Sequence, residues 1–288
     1  MKEHAVSFGA SGHLCGVLCE SEAALPGAPA VLLWNIGIHH RVGAFRIWVD
    51  LARALAEVGF TSLRFDLSGM GDSEVRRGAP DDDAQAEDLD EAMAFVTRRT
   101  GLGTFAPIGF CSGADQLHAL GLRDERVLAM GYIEGYAWRT PGFWLRYPLR
   151  YLRPALWRDR LEHLPERKSL QRFRRFFAPR EELAVDPIAA ETAGGAAMFA
   201  RRPIEPERFA KDLHALRRRG VKLFFAYFGL DSDFNHAGQF EEMTALKPSR
   251  DLQVFFHGGA DHTLYRAEHR AQTVAHTCAW LQQSFGAH

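Results

Sequence analysis

The stretch "PIGFCSGADQ", Pro107 to Gln116, sets a cysteine between two glycines where an apolar run gives way to a helix-like segment. A strand that turns sharply into a helix holds the turn residue in a strained conformation. The positions two before and two after it must be small so that strand and helix can approach. Gly109 and Gly113 stand at those positions around Cys111. With Ser112 at the turn, Phe110 and Ala114 would take them, and Phe110 is too bulky, so Cys111 is the better centre. Free cysteine commonly serves as a small buried hydrophobe. The glycine spacing and the strand-to-helix setting instead make Cys111 a candidate nucleophile, whose thiolate the helix N-terminus would favour.

A nucleophile needs a base, and the base an orienting acid; in such sites the chain order is nucleophile, acid, histidine. Of the 13 histidines, His262 in "HGGADHTLY" lies in a loop between an apolar run and the last helical pattern, which is where the base belongs. His257, at the end of the run, is the weaker candidate, and Asp261 reads as a loop cap. The acid is expected after the preceding strand, where "FAYFGLDSDFN" offers Asp231 and Asp233, with Asp231, the first after the turn glycine, preferred. An oxyanion requires two backbone donors, one from the residue after the nucleophile and one from a loop after an earlier strand. Ser112 and Ile38, the latter in "NIGIHHRVG", fill those positions. His39 and His40 point opposite ways on an extended chain and have no third ligand spaced to join them, so no metal is expected, nor any cofactor.

Outward from the site, short β-rich runs alternate with helical patterns, the signature of a mainly parallel sheet covered by helices. "HAVSF" and "HLCGVLC" form a hairpin, and "AVLLWN", "RIWVDLARALAEVGF" and "TSLRFD" make one strand–helix–strand unit. "DAQAEDLDEAMAFVTRR" places acids in its first turns and arginines in its last, as the helix dipole favours. "TFAPIGF", "RVLAMGYIEG", "VKLFFAYFG" and "LQVFFHG" continue the sheet, and "LYRAEHRAQTVAHTCAWLQQSF" closes the chain as a helix. Between Glu134 and Lys222 the strand rhythm stops, and "YAWRTPGFWLRYPLRYLRPALWRDRLEHLPERKSLQRFRRFF" interleaves aromatics with arginines. The expected organisation is a core over 1–135 and 221–288 with a helical cap over 136–220, in which Trp138, Arg139 and Trp144 would meet substrate.

The 288 residues, 47% of them hydrophobic, suit a soluble globular chain, and a net charge of -1 gives no case for nucleic acid. Four cysteines without metal-site spacing, and a start without the apolar core of a signal peptide, point to a reducing cytoplasm. No run reaches the roughly 20 apolar residues of a membrane span.

Taken together, "FDLSGMGDSE" (Phe65–Glu74), "GFCSGA" (Gly109–Ala114), "GLDSD" (Gly229–Asp233) and "GADHT" (Gly259–Thr263) resemble the α/β-hydrolase superfamily over essentially the whole chain. More narrowly, "HRVGAFRIWVDLARALAEVGFTSLRFDLSGMGDSE", the cysteine in the elbow and "WRT" look like the hydrolases associated with the exosortase A system. The resemblance implies an α/β-hydrolase fold. Chemically, the expectation is hydrolysis of an ester or thioester through an acyl-cysteine on Cys111, with His262 and Asp231. Transfer of the acyl group to a second acceptor, or ligand binding without catalysis, are the alternatives. The partner would be a small acyl ester or thioester, met by a single chain or a homodimer.

Overall fold

A computed structural model describes residues 1–34, 39–76, 81–146, 204–230 and 235–286. Its centre is a sheet of 8 strands in the order β1-β2-β4-β3-β5-β6-β7-β8. β1 (Lys2–Phe8) and β2 (Leu14–Glu20) form the antiparallel hairpin at one edge, with Lys2 opposite Glu20 and Phe8 opposite Leu14. β2 meets β4 (Ser62–Phe65) antiparallel, and from β4 onward every pairing is parallel. β3 (Ala30–Trp34), β5 (Phe105–Phe110), β6 (Ala129–Ile133), β7 (Lys222–Phe228) and β8 (Leu252–His257) complete the sheet.

The parallel strands are apolar on both faces because helices cover both. Leu32 and Trp34 of β3 face one core with Leu63 and Phe65, while Val31 and Leu33 face the other. On the first side lie α2 (Asp81–Thr100), through Leu89, Met93 and Val96, and α3 (Ser112–Arg123), through Leu117 and Leu120. On the second lie α1 (Ile47–Glu57), through Trp48, Leu51 and Leu55, and α7 (Ala267–Phe285), through Trp280 and Leu281. Each such fully buried apolar side chain contributes about 1.5–3 kcal/mol of transfer free energy.

α4 (Pro141–Arg146) leaves β6, α5 (Pro206–Arg218) leads into β7, and α6 (Gln239–Thr244) follows it. α5 falls within the span expected to form a cap, yet Phe209, Leu213 and Leu216 are buried in the sheet's own core. Phe209 packs against Tyr132 of β6 and Phe225 of β7. The closing helix begins at Ala267 rather than Leu264, because Leu264 holds φ 56, outside the helical region. No helix among the described residues is long and apolar enough to cross a membrane.

Candidate active site

β5 ends, Cys111 turns the chain, and α3 begins at the next residue. Cys111 holds φ 50 and ψ -123, a conformation that residues with a side chain rarely adopt. Its N–H donates to Ile133 O of β6 at 2.7 Å, and its own carbonyl accepts the N–H of Ala114 at 3.0 Å in the first helical turn. A Cβ on Gly109 would lie 2.6 Å from Ala114 N, inside the backbone of the helix. The strand-to-helix turn therefore excludes even alanine at that position. Ser112 is the first residue of α3, so its amide lies in the helix's unsatisfied N-terminal turn.

His262 sits between β8 and α7, in a turn built by Asp261. The Asp261 carboxylate accepts the N–H of Thr263 at 3.0 Å, its hydroxyl at 2.6 Å and the N–H of Tyr265 at 3.1 Å. These bonds hold the Asp261 carboxyl below the usual range, although burial opposes them as the largest single influence. Asp261 is thus the loop cap that its place in the sequence suggests.

The carboxylate that meets His262 comes from the residue after β6. Nδ1–H of His262 donates to Glu134 Oε2 at 2.8 Å. Glu134 Oε1 accepts two further bonds, from Phe228 N at 2.6 Å and Asn235 Nδ2 at 2.8 Å. Asn235 also donates to Phe228 O at 2.9 Å, so it ties the segment after β7 to the carboxylate. Glu134 has φ 54, the left-handed region, and its N–H donates to Ala226 O at 2.8 Å, which turns its side chain from the strand end toward β7 and β8. Only 4% of that side chain is exposed. The other ring nitrogen of His262 is left for Cys111. The pKa of His262 is pushed up to about 10, first by the hydrogen bond with Cys111 and then by that with Glu134, against the effect of burial. Both bonds favour the charged imidazolium over the neutral ring.

Asp231, Asp233 and Ile38 lie outside the described residues. Glu134 had a signal in the sequence: a lone charge between the apolar strand "AMGYI" and a glycine. Its relation to His262 spans 128 residues, which local spacing does not reveal.

Of the residues expected to meet substrate, Trp138 stacks on Tyr136 at 5.6 Å and leans on Phe209 at 5.5 Å. It thus links the segment after β6 to α5. The guanidinium of Arg139 lies 5.5 Å from the ring centre of Phe143 and 5.7 Å from that of Trp144. α4 is fastened to α6: Thr140 and Arg146 bond the two ring nitrogens of His236, and Glu242 accepts Gly142 N–H at 2.7 Å. Away from the elbow, donor atoms of His13, Asp88 and Glu91 converge within 4.8 Å, a grouping of metal-ligand type. Arg76 already bonds both carboxylates there, at 2.8 and 2.9 Å, and brings the positive charge that a cation would supply. The adjacent His39 and His40 are exposed.

A sheet of this order, with a strained residue between β5 and α3 and a histidine after the last strand, defines an α/β-hydrolase. A family profile for the alpha/beta hydrolase fold matches residues 36–261, and the chain belongs to that family. Among solved structures, it is similar to an esterase of Pyrococcus furiosus, with 11% identity and a TM-score of 0.59 over 99% of this chain and 91% of that one. The esterase domain of a Rhodothermus marinus protein is 16% identical, with a TM-score of 0.56 over 100% of both chains. A soluble variant of monoglyceride lipase from Saccharomyces cerevisiae, bound to a substrate analogue, is 14% identical, with a TM-score of 0.56 over 100% of this chain and 97% of that one. At these identities the likeness concerns the fold. A comparison with curated proteins returned no match.

Proposed function

We propose that the protein hydrolyses a carboxylic ester or thioester through a covalent acyl-cysteine, with Cys111 as nucleophile, His262 as acid and base, and Glu134 as the orienting carboxylate. One observation carries the reading: His262 bonds Glu134 at 2.8 Å on Nδ1 and Cys111 on its other side, at the end of a strained strand-to-helix turn. In this assignment Glu134 takes the role expected of Asp231. The structural neighbours described above, two esterases and a lipase, agree with ester chemistry.

Chemically, the Cys111 thiolate forms a C–S bond to the acyl carbon and the carbonyl π pair moves onto oxygen. The Ser112 amide at the start of α3 is placed to stabilise that charge, and the Ile38 amide is the proposed second donor. When the intermediate collapses, the alkoxide or thiolate leaves with the proton of His262. A water then attacks the thioester, giving its proton to His262, and the carboxylic acid departs as the thiolate returns. Because a thiolate leaves more readily than an alkoxide, thioesters, lactones and activated esters are favoured over amides. In this reading part of residues 136–220 covers the site. Trp138, Arg139 and Trp144 lie at the start of that segment and flank the entry.

The test is intact-protein mass after iodoacetamide or a fluorophosphonate, beside turnover on acyl-thioesters, p-nitrophenyl esters and lactones. Cys111→Ala should lose both label and turnover while keeping its fold, and Cys111→Ser should keep some ester hydrolysis. Ser112→Ala, which leaves the backbone amide in place, should keep both label and turnover. Turnover that survives Cys111→Ala and disappears in Ser112→Ala would overturn the assignment.

A further inference from the structure

Every large hydrophobic side chain that is exposed among the described residues, save Met1, follows the C-terminal end of a parallel strand. Phe45 follows β3, Val75 β4, Trp144 and Leu145 β6, Leu230 β7 and Tyr265 β8. Those strands run in one direction, so their ends share one edge of the sheet, the edge that carries Cys111 and His262. Met1 precedes β1, which runs parallel in sense to β4, and so lies at the opposite edge. Single exposed apolar residues are ordinary on a protein surface. Their confinement to one edge of the sheet is not.

The exposures are large, from 48% at Phe45 to 77% at Leu145. Phe45 is held outward by strain, since it and Arg46 take successive left-handed conformations, φ 46 and φ 69. There it meets Tyr265 edge to face at 5.3 Å, three residues beyond His262. Exposed arginines stand immediately after three of these side chains: Arg46 after Phe45, Arg146 after Leu145 and Arg266 after Tyr265. Arg266 is paired with Glu268, also exposed. The sequence continues the theme, since residues 141–160 hold five arginines and a single acid, Asp159.

We infer that this rim docks on an anionic lipid bilayer, and that the acyl substrate of the site is an ester or thioester presented from that surface. The inference rests on the function proposed above. Interfacial elements combine Trp, Phe and Leu tips with arginines that stay at headgroup level, and anionic lipid adds an electrostatic attraction for each basic residue. A protein partner fits less well, because the core of a protein interface is a contiguous patch depleted of charge. Here the apolar tips stand on separate segments after different strands, and three of them are followed directly by an exposed arginine.

The experiment is co-sedimentation of the whole chain with phosphatidylcholine vesicles, with and without phosphatidylglycerol, beside turnover of p-nitrophenyl acetate in solution and of a long-chain ester carried in the vesicles. The wild-type chain should bind the anionic vesicles, and more weakly at high salt. The triple variant Phe45→Ser, Leu145→Ser, Tyr265→Ser should lose roughly tenfold or more of that binding, with a matching loss on the vesicle-borne ester. Its turnover of p-nitrophenyl acetate should stay within about twofold, since these side chains are exposed and lie outside the triad. Arg46→Glu with Arg266→Glu should remove the preference for anionic vesicles. Unchanged vesicle binding in the triple variant would overturn the inference. So would absence of binding in the wild type, and a concentration-dependent dimer abolished by the triple variant would assign the rim to a second copy. No turnover of p-nitrophenyl acetate by the wild type would count against the proposed function, and the vesicle measurement would still decide the surface.

Discussion

Of the histidines that lie beside a carboxylate, His262 and His118 have their charge driven in opposite directions. His262 has Glu134 at 2.8 Å and the Cys111 thiol on its other side, and its side chain is 39% exposed. His118, on α3, has Tyr132 Oη at 2.8 Å and Asp212 Oδ2 at 3.4 Å, and it is walled in by the rings of Tyr132, Tyr136 and Phe209. Burial is the largest influence on His118 and lowers its pKa below 6.5, while the attraction of Asp212 opposes it and Arg208 reinforces it. Arg208 Nε already bonds both oxygens of Asp212, at 2.9 and 3.0 Å. A carboxylate neutralised by arginine offers little to a buried imidazole. Among the described residues Glu134 accepts from Phe228 N and Asn235 Nδ2, both uncharged, and from His262, whose positive charge it favours. Exposure separates the two rings: the half-exposed His262 keeps some water and gains from its acid, while the buried His118 does not recover from Asp212 what desolvation costs it.

The sharpest way to break the contrast is at Glu134. Glu134→Gln should lower kcat/KM for a soluble ester by roughly 10³–10⁴-fold, because the imidazole loses the group that fixes its tautomer. Asp231→Asn should cost less than about tenfold, well short of the loss expected for a triad member. Steady-state kinetics of the two variants give the ranking, and the reverse order would move the acid to the segment after β7.

A second measurement sharpens the contrast through pH. The raised His262 pKa means that the imidazolium interaction is fully present below the ordinary value of 6.5 and is lost as pH rises through about 10. The plot of kcat/KM against pH should accordingly fall on its alkaline side near 10. Glu134→Gln should shift that fall to lower pH, as one of its two supports is gone. An alkaline limit near neutrality in the wild-type protein would contradict a thiolate–imidazolium pair.

The smallest effect on activity is expected at His118. His118→Asn should leave turnover within about twofold but cost roughly 1–3 kcal/mol of stability, as Tyr132 and Asp212 lose a buried partner. The folded state resists protonation at His118, so the unfolded chain binds the extra proton first. Wild-type stability then falls as pH drops below 6.5, and the variant should lose that part of the slope. Denaturant melts at pH 7.5 and 5.5 give both numbers.

Much of this architecture is legible in the order of residues. Runs such as "AVLLW" and "KLFFAYF" are apolar on both faces and admit only a strand buried from both sides, and the glycines around Cys111 announce the tight turn. His262 is marked by its place after the last strand. What escapes is whatever depends on convergence. Glu134 reads as the polar end of a strand until β7 and β8 bring Phe228, Asn235 and His262 to it. The setting of α5 escapes for a similar reason. Phe209, Leu213 and Leu216 carry the same helical pattern whether they face a cap or a sheet, and only the packed core decides between them.

Gly109 has one more implication. The backbone at position 111 is held by the strand before it, the helix after it, the bond to Ile133 and the close approach that Gly109 permits. None of these holds involves the sulfur. The elbow is a mount, and the reagent fixed to it is a separate choice of one atom. In the proposed reaction, exchanging that atom for oxygen would change how long the acyl group stays attached and which leaving groups it can displace, with the mount untouched.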